Sequence, residues 1–192
     1  MRRSQDLNVR QQSAVAVPAS RRRFLAQSLG IVGVIVALDQ LTKEIMLNIL
    51  STEPCSVDGA CIDVFWTLRF RLLFNPGASF STGEGLGPVI GAISFVMVVV
   101  MVWLAARTEH TLQRVTYSGI AGGALGNGLD RLFRADEGFL SGKVVDFIDF
   151  QWWPVFNIAD MAIVGSVIGA IALSFFLDEA DDEAHSEGSP AV

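Results

Sequence analysis

A run of 21 residues without a charged side chain, Leu86 to Ala106, is the feature that most restricts how this chain can fold. A helix of that length spans the hydrocarbon core of a bilayer, which needs about 20 apolar residues. The composition agrees, because 51% of the 192 residues are hydrophobic, 18% are charged and the mean hydropathy is +0.45. These values are too apolar for an ordinary soluble domain of this size. The sequence therefore predicts an α-helical membrane protein.

Three further apolar stretches predict membrane helices and bring the total to four: Phe24 to Leu38, Val115 to Leu129 and Asn157 to Leu177. We expect the first helix to continue beyond its apolar stretch and to end between Lys43 and Leu50. A cleavable signal peptide is the competing interpretation of this stretch, but no small-x-small cleavage site follows it.

Charged residues are concentrated at the two ends of the chain. Residues 1–23 carry six arginines, and Asp178 to Glu187 carries six acidic residues and no Lys or Arg. We expect 1–23 and 178–192 to be disordered tails around a membrane domain at 24–177. By the positive-inside rule, the arginine-rich end and the loop between the second and third helices lie in the cytoplasm. Both termini are then cytoplasmic.

The residues between the first two membrane helices predict an external loop followed by short strands. Cys55 and Cys61 lie in the loop, and the sequence is compatible both with a disulfide and with two free thiols. Ile62 to Phe74 is rich in β-branched and aromatic residues, which is typical of strands. We expect these strands to lie on the membrane surface.

Four aspartates converge on the outer side of the membrane in this topology. Asp39, Asp130 and Asp160 lie at the outer ends of three predicted helices, and Asp146 lies in the segment between the last two. Ionisable residues at membrane depth are costly and usually functional. Two carboxylates held close together cannot both ionise easily, so one keeps a proton and the pair can act as acid and base. This is the chemistry of aspartic peptidases.

Structural roles compete with catalysis at some of these positions. Asp39 and Lys43 are four residues apart on one helix face, and Asp130 adjoins Arg131. Ion pairs are therefore the favoured roles for these two aspartates. Each of the last two helices also presents an amide with its carboxylate, because an asparagine precedes each aspartate by three residues.

Other catalytic sets find little support. The two histidines, His110 and His185, fall on the predicted cytoplasmic side, which argues against a Ser/His/Asp triad. The sequence contains no phosphate loop, dinucleotide fingerprint or metal-ligand spacing. Asp146 and Asp149 remain open to a simpler interpretation, as solvated carboxylates of a loop.

Five motifs resemble those of the bacterial lipoprotein signal peptidase family, also called signal peptidase II. They are Asp39-Gln-Leu-Thr-Lys43, Asn75-Pro-Gly-Ala-Ser-Phe80, Gly122-Gly-Ala-Leu-Gly-Asn-Gly-Leu-Asp-Arg131, Val144-Val-Asp-Phe-Ile-Asp149 and Phe156-Asn-Ile-Ala-Asp160. The resemblance implies four transmembrane helices with a small extracytoplasmic β-cradle and a mobile external helix. Asp63 to Ser81 and Thr42 to Glu53 would supply the cradle and the helix.

The same resemblance implies the activity and the site. It identifies Asp146 and Asp160 as the catalytic pair of an aspartic endopeptidase that cuts prolipoproteins on the amino side of a diacylglyceryl-cysteine. It implies supporting roles for Asp39, Lys43, Asn75, Asn127, Asp130, Arg131 and Asn157. No metal or organic cofactor is expected. The expected partners are diacylglyceryl-modified prolipoproteins and membrane lipids but no nucleic acid, for a monomer of the bacterial inner membrane whose active site faces outward.

Two other classes of function fit the membrane carboxylates. One is a proton-coupled or ion-coupled transporter or channel subunit, although the carboxylates cluster at one face and the chain has no clear inverted repeat. The other is a helical scaffold that binds prolipoproteins without cleaving them. Between Asp146 and Asp160, the tryptophans Trp152 and Trp153 predict an anchor at the level of the lipid headgroups.

Overall fold

The structure is a computed structural model that describes residues 19–50, 61–77, 86–135 and 138–187. The described residues form four helices and three strands. In chain order these are α1 (Ala19–Leu50), β1 (Cys61–Phe65), β2 (Leu68–Asn75), α2 (Gly87–Ala105), α3 (Thr111–Phe133), β3 (Val144–Asp149) and α4 (Ile158–Glu187). The protein is thus mostly helical with one small sheet, as predicted.

Among the described residues, α1 and α2 are long and apolar enough to cross a membrane. Their most apolar 18-residue windows have a mean hydropathy of 1.7 and 2.5. On α2 the side chains of Val96 and Val99 are 63% and 69% exposed. An outward face of this kind is stable only when an apolar medium or a partner covers it. In α4 the apolar segment is shorter, Ile158–Ala172.

Helix α3 lies at the centre and packs against the other three helices through its glycines. A methyl group on Gly122 would lie 2.9 Å from Ile35 Cβ of α1, and one on Gly128 would lie 3.5 Å from the Phe95 ring of α2. On the side of α4, Gly123 lies against the carbonyl of Ala159. These close approaches explain why small residues recur every four positions along α3.

The sheet has the order β1-β2-β3, and both neighbouring pairs are antiparallel. Asn75 of β2 is paired with Val144 of β3, and Leu73 is paired with Asp146. Strand β3 is the buried one, with Val144, Val145 and Phe147 each 3% exposed or less. The sequence predicted strands only before residue 75. Strand β3 was therefore not predicted, and it follows α3 in the chain, whereas β1 and β2 precede it.

The helix boundaries correct three predictions. Helix α1 begins at Ala19, so the arginines Arg21 to Arg23 belong to its first turns and not to a tail. It runs without a break to Leu50, so Thr42–Leu50 are its last turns and not a separate external helix. Helix α4 continues to Glu187, ten residues beyond the predicted end. Apolar periodicity locates the part of a helix that a membrane covers, whereas Arg, Ala and Glu continue a helix well in water.

Some predictions fall on residues outside the described part of the chain. These include Cys55, the last residues of the Asn75 to Phe80 motif, residues 1–18 and residues 188–192.

Candidate active site

Asp146 and Asp160 come from different elements and meet through asparagine side chains. Asp146 lies in the middle of β3, and Asp160 lies in the first turn of α4. Asn157 Nδ2 donates to Asp146 Oδ1 at 2.6 Å, and Asn127 Nδ2 donates to Asp160 Oδ1 at 2.8 Å. Asn157 also closes the start of α4, because its Oδ1 accepts the backbone N–H of Asp160 at 3.0 Å. Side chains from α3, β3 and the start of α4 thus form one hydrogen-bonded group, in which Asp146 and Asn157 are buried and Asn127 and Asp160 are half-buried.

The environment of Asp146 favours its neutral form. Its side chain is 1% exposed, and it accepts hydrogen bonds from both Asn75 Nδ2, at 3.1 Å, and Asn157 Nδ2. Burial and, after it, the negative charge of Asp160 raise the pKa of Asp146 to about 7, and the two amide hydrogen bonds only partly oppose this. A carboxyl with this pKa can carry or release a proton near neutral pH.

A second layer of contacts orients the amides. Lys43 Nζ donates to Asn127 Oδ1 at 3.0 Å, and Asn157 Nδ2 donates to the same oxygen at 3.0 Å. An ammonium group has only donors, so the oxygen of Asn127 has to face Lys43. The amide nitrogen of Asn127 is then directed at Asp160.

Lys43 lies between two buried carboxylates. Its Nζ is 2.8 Å from Asp39 Oδ2 and 2.8 Å from Asp130 Oδ2, and none of the three side chains is exposed. Asp39 Oδ1 accepts the N–H of Ala159 at 2.9 Å, and Asp130 Oδ2 accepts the N–H of Val145 at 3.2 Å. One charged cluster therefore holds α1 and α3 against the residue that directly precedes each of the two aspartates, Val145 before Asp146 and Ala159 before Asp160.

The predicted ion pair between Asp39 and Lys43 is confirmed, whereas the one between Asp130 and Arg131 is wrong. Asp130 pairs with Lys43 and with Arg134, whose Nε lies 3.1 Å from Asp130 Oδ1. Adjacent residues of a helix point in different directions, so neighbours in sequence do not pair.

Arg131 is directed towards the candidate site. Its Nη2 donates to the carbonyl of Gly77 at 2.9 Å and its Nη1 to the carbonyl of Asn127 at 3.3 Å. Its Nε is buried and has no hydrogen-bond partner among the described residues. A buried donor without a partner is costly, so Nε is available to a group that enters the site.

A cavity of about 660 Å³ joins these groups to the apolar side of α4. Its polar end holds Asn75, Asn127, Arg131, Asp146 and Asp160. Its other end is lined by apolar residues that include Met161, Val164 and Ile168. The cavity suits a ligand with a polar part and an apolar part. Four residues of the network do not line the cavity but contact residues that do, or the residues next to them: Asp39, Lys43, Asp130 and Asn157.

Asp149 belongs to a different environment. Its Oδ2 is 2.8 Å from Arg69 Nε and 3.0 Å from Arg71 Nε, and its Oδ1 accepts the N–H of Gln151 at 2.7 Å. Burial favours its neutral form, but the hydrogen bonds of Arg69 and Gln151 and the charge of Arg71 outweigh it and lower the pKa of Asp149. The register between β2 and β3 places Arg69 opposite Asp149. This register cannot be read from the sequence.

Sequence reasoning missed two contacts of the site. Gln40 Nε2 lies within 3.2 Å of both Asp39 Oδ2 and Asp130 Oδ1, and Gly77 provides the carbonyl that holds Arg131. Gln40 lies in the motif from Asp39 to Lys43 and Gly77 in the motif from Asn75 to Phe80, so these motifs could have identified both residues. No group of three or more His, Cys, Asp or Glu side chains within the described ranges is arranged to hold a metal ion.

Comparison with known protein families gives a direct match. The family described as Signal peptidase (SPase) II matches residues 31–176, which is most of the chain. The chain belongs to the signal peptidase II family. The motifs that predicted this membership span Asp39 to Asp160, inside the matched region.

Curated members of the signal peptidase II family resemble the chain over most of its length. The lipoprotein signal peptidase of Mycolicibacterium smegmatis is 37% identical over 160 residues, covering 83% of this chain and 65% of that protein. The lipoprotein signal peptidase of Mycobacterium tuberculosis (strain ATCC 25618 / H37Rv) is 38% identical, covering 83% and 75%. The chain thus spans about two thirds to three quarters of the length of these two relatives.

Two solved structures described as bacterial membrane enzymes share the fold. One has a TM-score of 0.64 at 24% identity and covers 87% of this chain and 95% of its own. The other has a TM-score of 0.60 at 28% identity and covers 77% and 92%. Membership of the signal peptidase II family and the likeness to membrane enzymes agree with the apolar helices α1 and α2.

Proposed function

We propose that this protein is a membrane-embedded aspartic endopeptidase that removes signal peptides from prolipoproteins. It cuts on the amino side of a cysteine that carries diacylglycerol. The observation that carries the proposal is the position of Asp146 and Asp160 at the polar end of a cavity whose other end is apolar. Family membership supports the same substrate class, since the curated relatives are named lipoprotein signal peptidases.

In the proposed mechanism the two carboxyls share one proton. Because the pKa of Asp146 is raised to about 7, the pair retains a proton up to about neutral pH. The ionised member takes a proton from a water molecule, which then attacks the carbonyl carbon of the scissile peptide bond. The protonated member donates to the carbonyl oxygen as its negative charge develops. The pKa values that a rate measurement reports belong to the pair and not to one residue.

Three amides and one guanidinium prepare the site for this reaction. Asn127 and Asn157 hold the two carboxyls in place through hydrogen bonds of 2.8 Å and 2.6 Å. Asn75 lines the cavity and donates to Asp146, and the unpartnered Nε of Arg131 is suited to a backbone carbonyl of the substrate. The acyl chains lie along Met161, Val164 and Ile168. Water, peptide and lipid then approach the aspartates from defined directions, which favours reaction.

The proposed topology has all four helices crossing the inner membrane of a bacterium. Helix α1 runs parallel to α3, since Ser28 contacts Ser118 near their starts and Lys43 contacts Asp130 near their ends. In this topology both termini are cytoplasmic, and the sheet and the two aspartates lie on the outer side. The protein acts as a monomer, the membrane domain occupies 24–177, and the segments on either side extend into the cytoplasm.

The rival transporter class finds no specific support in the site. Asp39 and Asp130 are paired with Lys43 and Arg134. Asp146 and Asp160 lie at the same end of the bundle. A path for ions would need polar groups along the bundle, whereas α3 packs its central part tightly through glycines. Peptidase activity without ion flux in reconstituted vesicles would separate the two functions.

Two aspartate variants test the proposal. Asp146→Asn and Asp160→Asn are each expected to abolish processing of a diacylglyceryl-modified prolipoprotein, followed as a shift in its mobility. Asp63→Asn, an exposed aspartate on β1, is the matched control and is expected to process normally. Asp149→Asn is expected to retain substantial activity, because its partners are Arg69 and Arg71. Normal processing by a folded Asp146→Asn or Asp160→Asn variant would remove the basis for the assignment.

A further inference from the structure

We propose a second binding site, for one anionic phospholipid, between the first turns of α1 and α3. It lies at the end of the bundle far from the two aspartates. Arg114 lies in the first turn of α3, thirteen residues before Asn127. At 1.5 Å per residue that separation is about 20 Å. The inference uses the proposed topology but not the proposed reaction.

Arg114 provides the first observation. Its side chain is 4% exposed, and it forms no ion pair with any residue that the structure describes. Its guanidinium stacks on the Phe24 ring at 3.8 Å and donates to Gln27 Oε1 and to the carbonyls of Thr108 and Glu109. Its Nε has no hydrogen-bond partner within the described ranges. A buried cation without a counter-charge is costly, and an anion placed nearby relieves that cost.

A cavity beside this guanidinium provides the second observation. It has a volume of about 840 Å³ and lies between α1 and the start of α3. Arg23 and Arg114 line one end, and the aliphatic residues Ile31, Val34 and Val115 continue the wall along the bundle. A phosphate near the two arginines would place an acyl chain along this aliphatic wall. A soluble anion would leave the aliphatic wall uncovered.

The charges of this end select an anionic headgroup. Glu109 also lines the cavity, but it is exposed, and the same cavity is lined by two arginines. Arg21 and Arg22 lie in the same first turns of α1, and Arg107 stacks on the Trp103 ring at 4.0 Å. Arginine with tryptophan is typical of the headgroup level of a membrane. In the proposed topology this end meets the cytoplasmic leaflet, whose anionic lipids attract such clusters.

Two glycines of α1 allow a sharp test. A Cβ atom added at Gly30 or at Gly33 would meet nothing within 4 Å, so both positions open onto free space. Gly30 lines the cavity, whereas Gly33 is not among its lining residues. Gly30→Leu therefore fills the cavity, and Gly33→Leu is the matched control with the same added bulk on the same helix.

The experiment is native mass spectrometry of the full chain with dioleoylphosphatidylglycerol and, separately, dioleoylphosphatidylcholine. We expect one retained phosphatidylglycerol per chain and weaker retention of phosphatidylcholine. Arg114→Gln and Gly30→Leu should each weaken phosphatidylglycerol binding by about 10-fold or more, and Arg23→Gln by about 5-fold, the effect of one arginine near an anionic lipid. Gly33→Leu should bind like the unmodified chain.

Three results would overturn the proposal. If Gly30→Leu and Gly33→Leu lose or retain phosphatidylglycerol to the same extent, the bound lipid only coats the helices and does not occupy the cavity. Equal binding of the two lipids would remove the role of charge, and displacement by millimolar inorganic phosphate would identify a free-anion site. If Arg114→Gln does not fold, the pair of glycine variants decides the question. Asp146→Asn should keep its lipid while losing peptidase activity, which separates failure of this site from failure of the proposed function.

Discussion

Lys43 Nζ lies 3.0 Å from Asn127 Oδ1, and this contact directs the other end of the Asn127 amide at Asp160. The ammonium does not line the cavity, yet it determines which atom of Asn127 faces the carboxyl. The same ammonium forms ion pairs with Asp39 and Asp130. The charge cluster and the candidate catalytic pair are therefore one connected network.

Removing this ammonium should affect stability and activity together. Lys43→Met leaves Asp39 buried without a counter-charge and Asp130 with only that of Arg134. Breaking a buried ion pair by removing one partner typically costs about 3–5 kcal/mol. It also frees the Asn127 amide to rotate. We expect a markedly lower unfolding temperature in detergent and loss of prolipoprotein processing. Lys143→Met, at an exposed lysine, is the control and should change neither quantity. An unchanged unfolding temperature for Lys43→Met would contradict the network.

The pH dependence of processing follows from the pKa of Asp146. Because burial and the charge of Asp160 raise this pKa to about 7, the pair loses its shared proton as the pH rises through about 7. The value of kcat/KM should therefore fall above that pH, by about tenfold per pH unit in the limit. Asp149→Asn should show the same profile. A rate that stays constant from pH 6 to pH 9 would show that no proton on the pair is needed.

The raised pKa of Asp146 also predicts how the stability of the fold depends on pH. Its sign follows from the raised pKa: between pH 4 and pH 7 the folded state binds a proton that the unfolded state has released, so stability falls as the pH rises through this range. Above about pH 7 the penalty is complete. Asp146→Asn removes it and, after the loss of one amide hydrogen bond, should stabilise the fold by about 2 kcal/mol at pH 8.5.

The measurement is denaturant unfolding in detergent at two values of pH. The advantage of Asp146→Asn over the unmodified chain should shrink at pH 5, where Asp146 of the folded protein is protonated. Asp63→Asn should give the same small difference at both values of pH. A stabilisation by Asp146→Asn that grows on acidification would have the wrong sign and would refute the raised pKa.

The packing of α1 on α3 can be tested at one glycine. A methyl group on Gly126 would lie 2.6 Å from Asp39 Oδ2, which is closer than atoms in contact allow. We expect Gly126→Ala to cost about 2 kcal/mol or more, because the ion pair of Asp39 and Lys43 has to shift with the helix. Gly165→Ala on α4 meets nothing within 4 Å and should be neutral or slightly stabilising. Thermal unfolding of both variants in detergent compares them.

Much of the fold follows from patterns along the chain. The uncharged run from Leu86 to Ala106 predicts helix α2, and each of the other three apolar stretches lies within one helix, apart from Asn157, which directly precedes α4. The ion pair of Asp39 and Lys43 also follows from spacing, since residues four apart share a helix face. The ends of the helices cannot be predicted in this way, because a hydrophobic pattern does not mark helical turns that continue into water.

The opposite pKa shifts of Asp146 and Asp149 could not be predicted from the sequence. Both are 1% exposed residues of β3, and local sequence does not distinguish them. Only the family motif favoured Asp146 in advance. In the folded protein, Asp149 meets two arginines of β2, whereas Asp146 meets two neutral amides and the charge of Asp160.

The membrane class, the four helical stretches and the family motifs could be predicted from the amino-acid sequence, because they depend on composition and on spacing within single elements. The pairing of β3 with β2, the ion pair of Asp130 with Lys43 and the opposite pKa shifts of Asp146 and Asp149 became visible only in the folded protein. Electrostatic and hydrogen-bond energies depend on distance in space and not on separation along the chain. The partners that decide these properties lie elsewhere in the chain: Asn157 is 11 residues from Asp146, and Arg69 is 80 residues from Asp149.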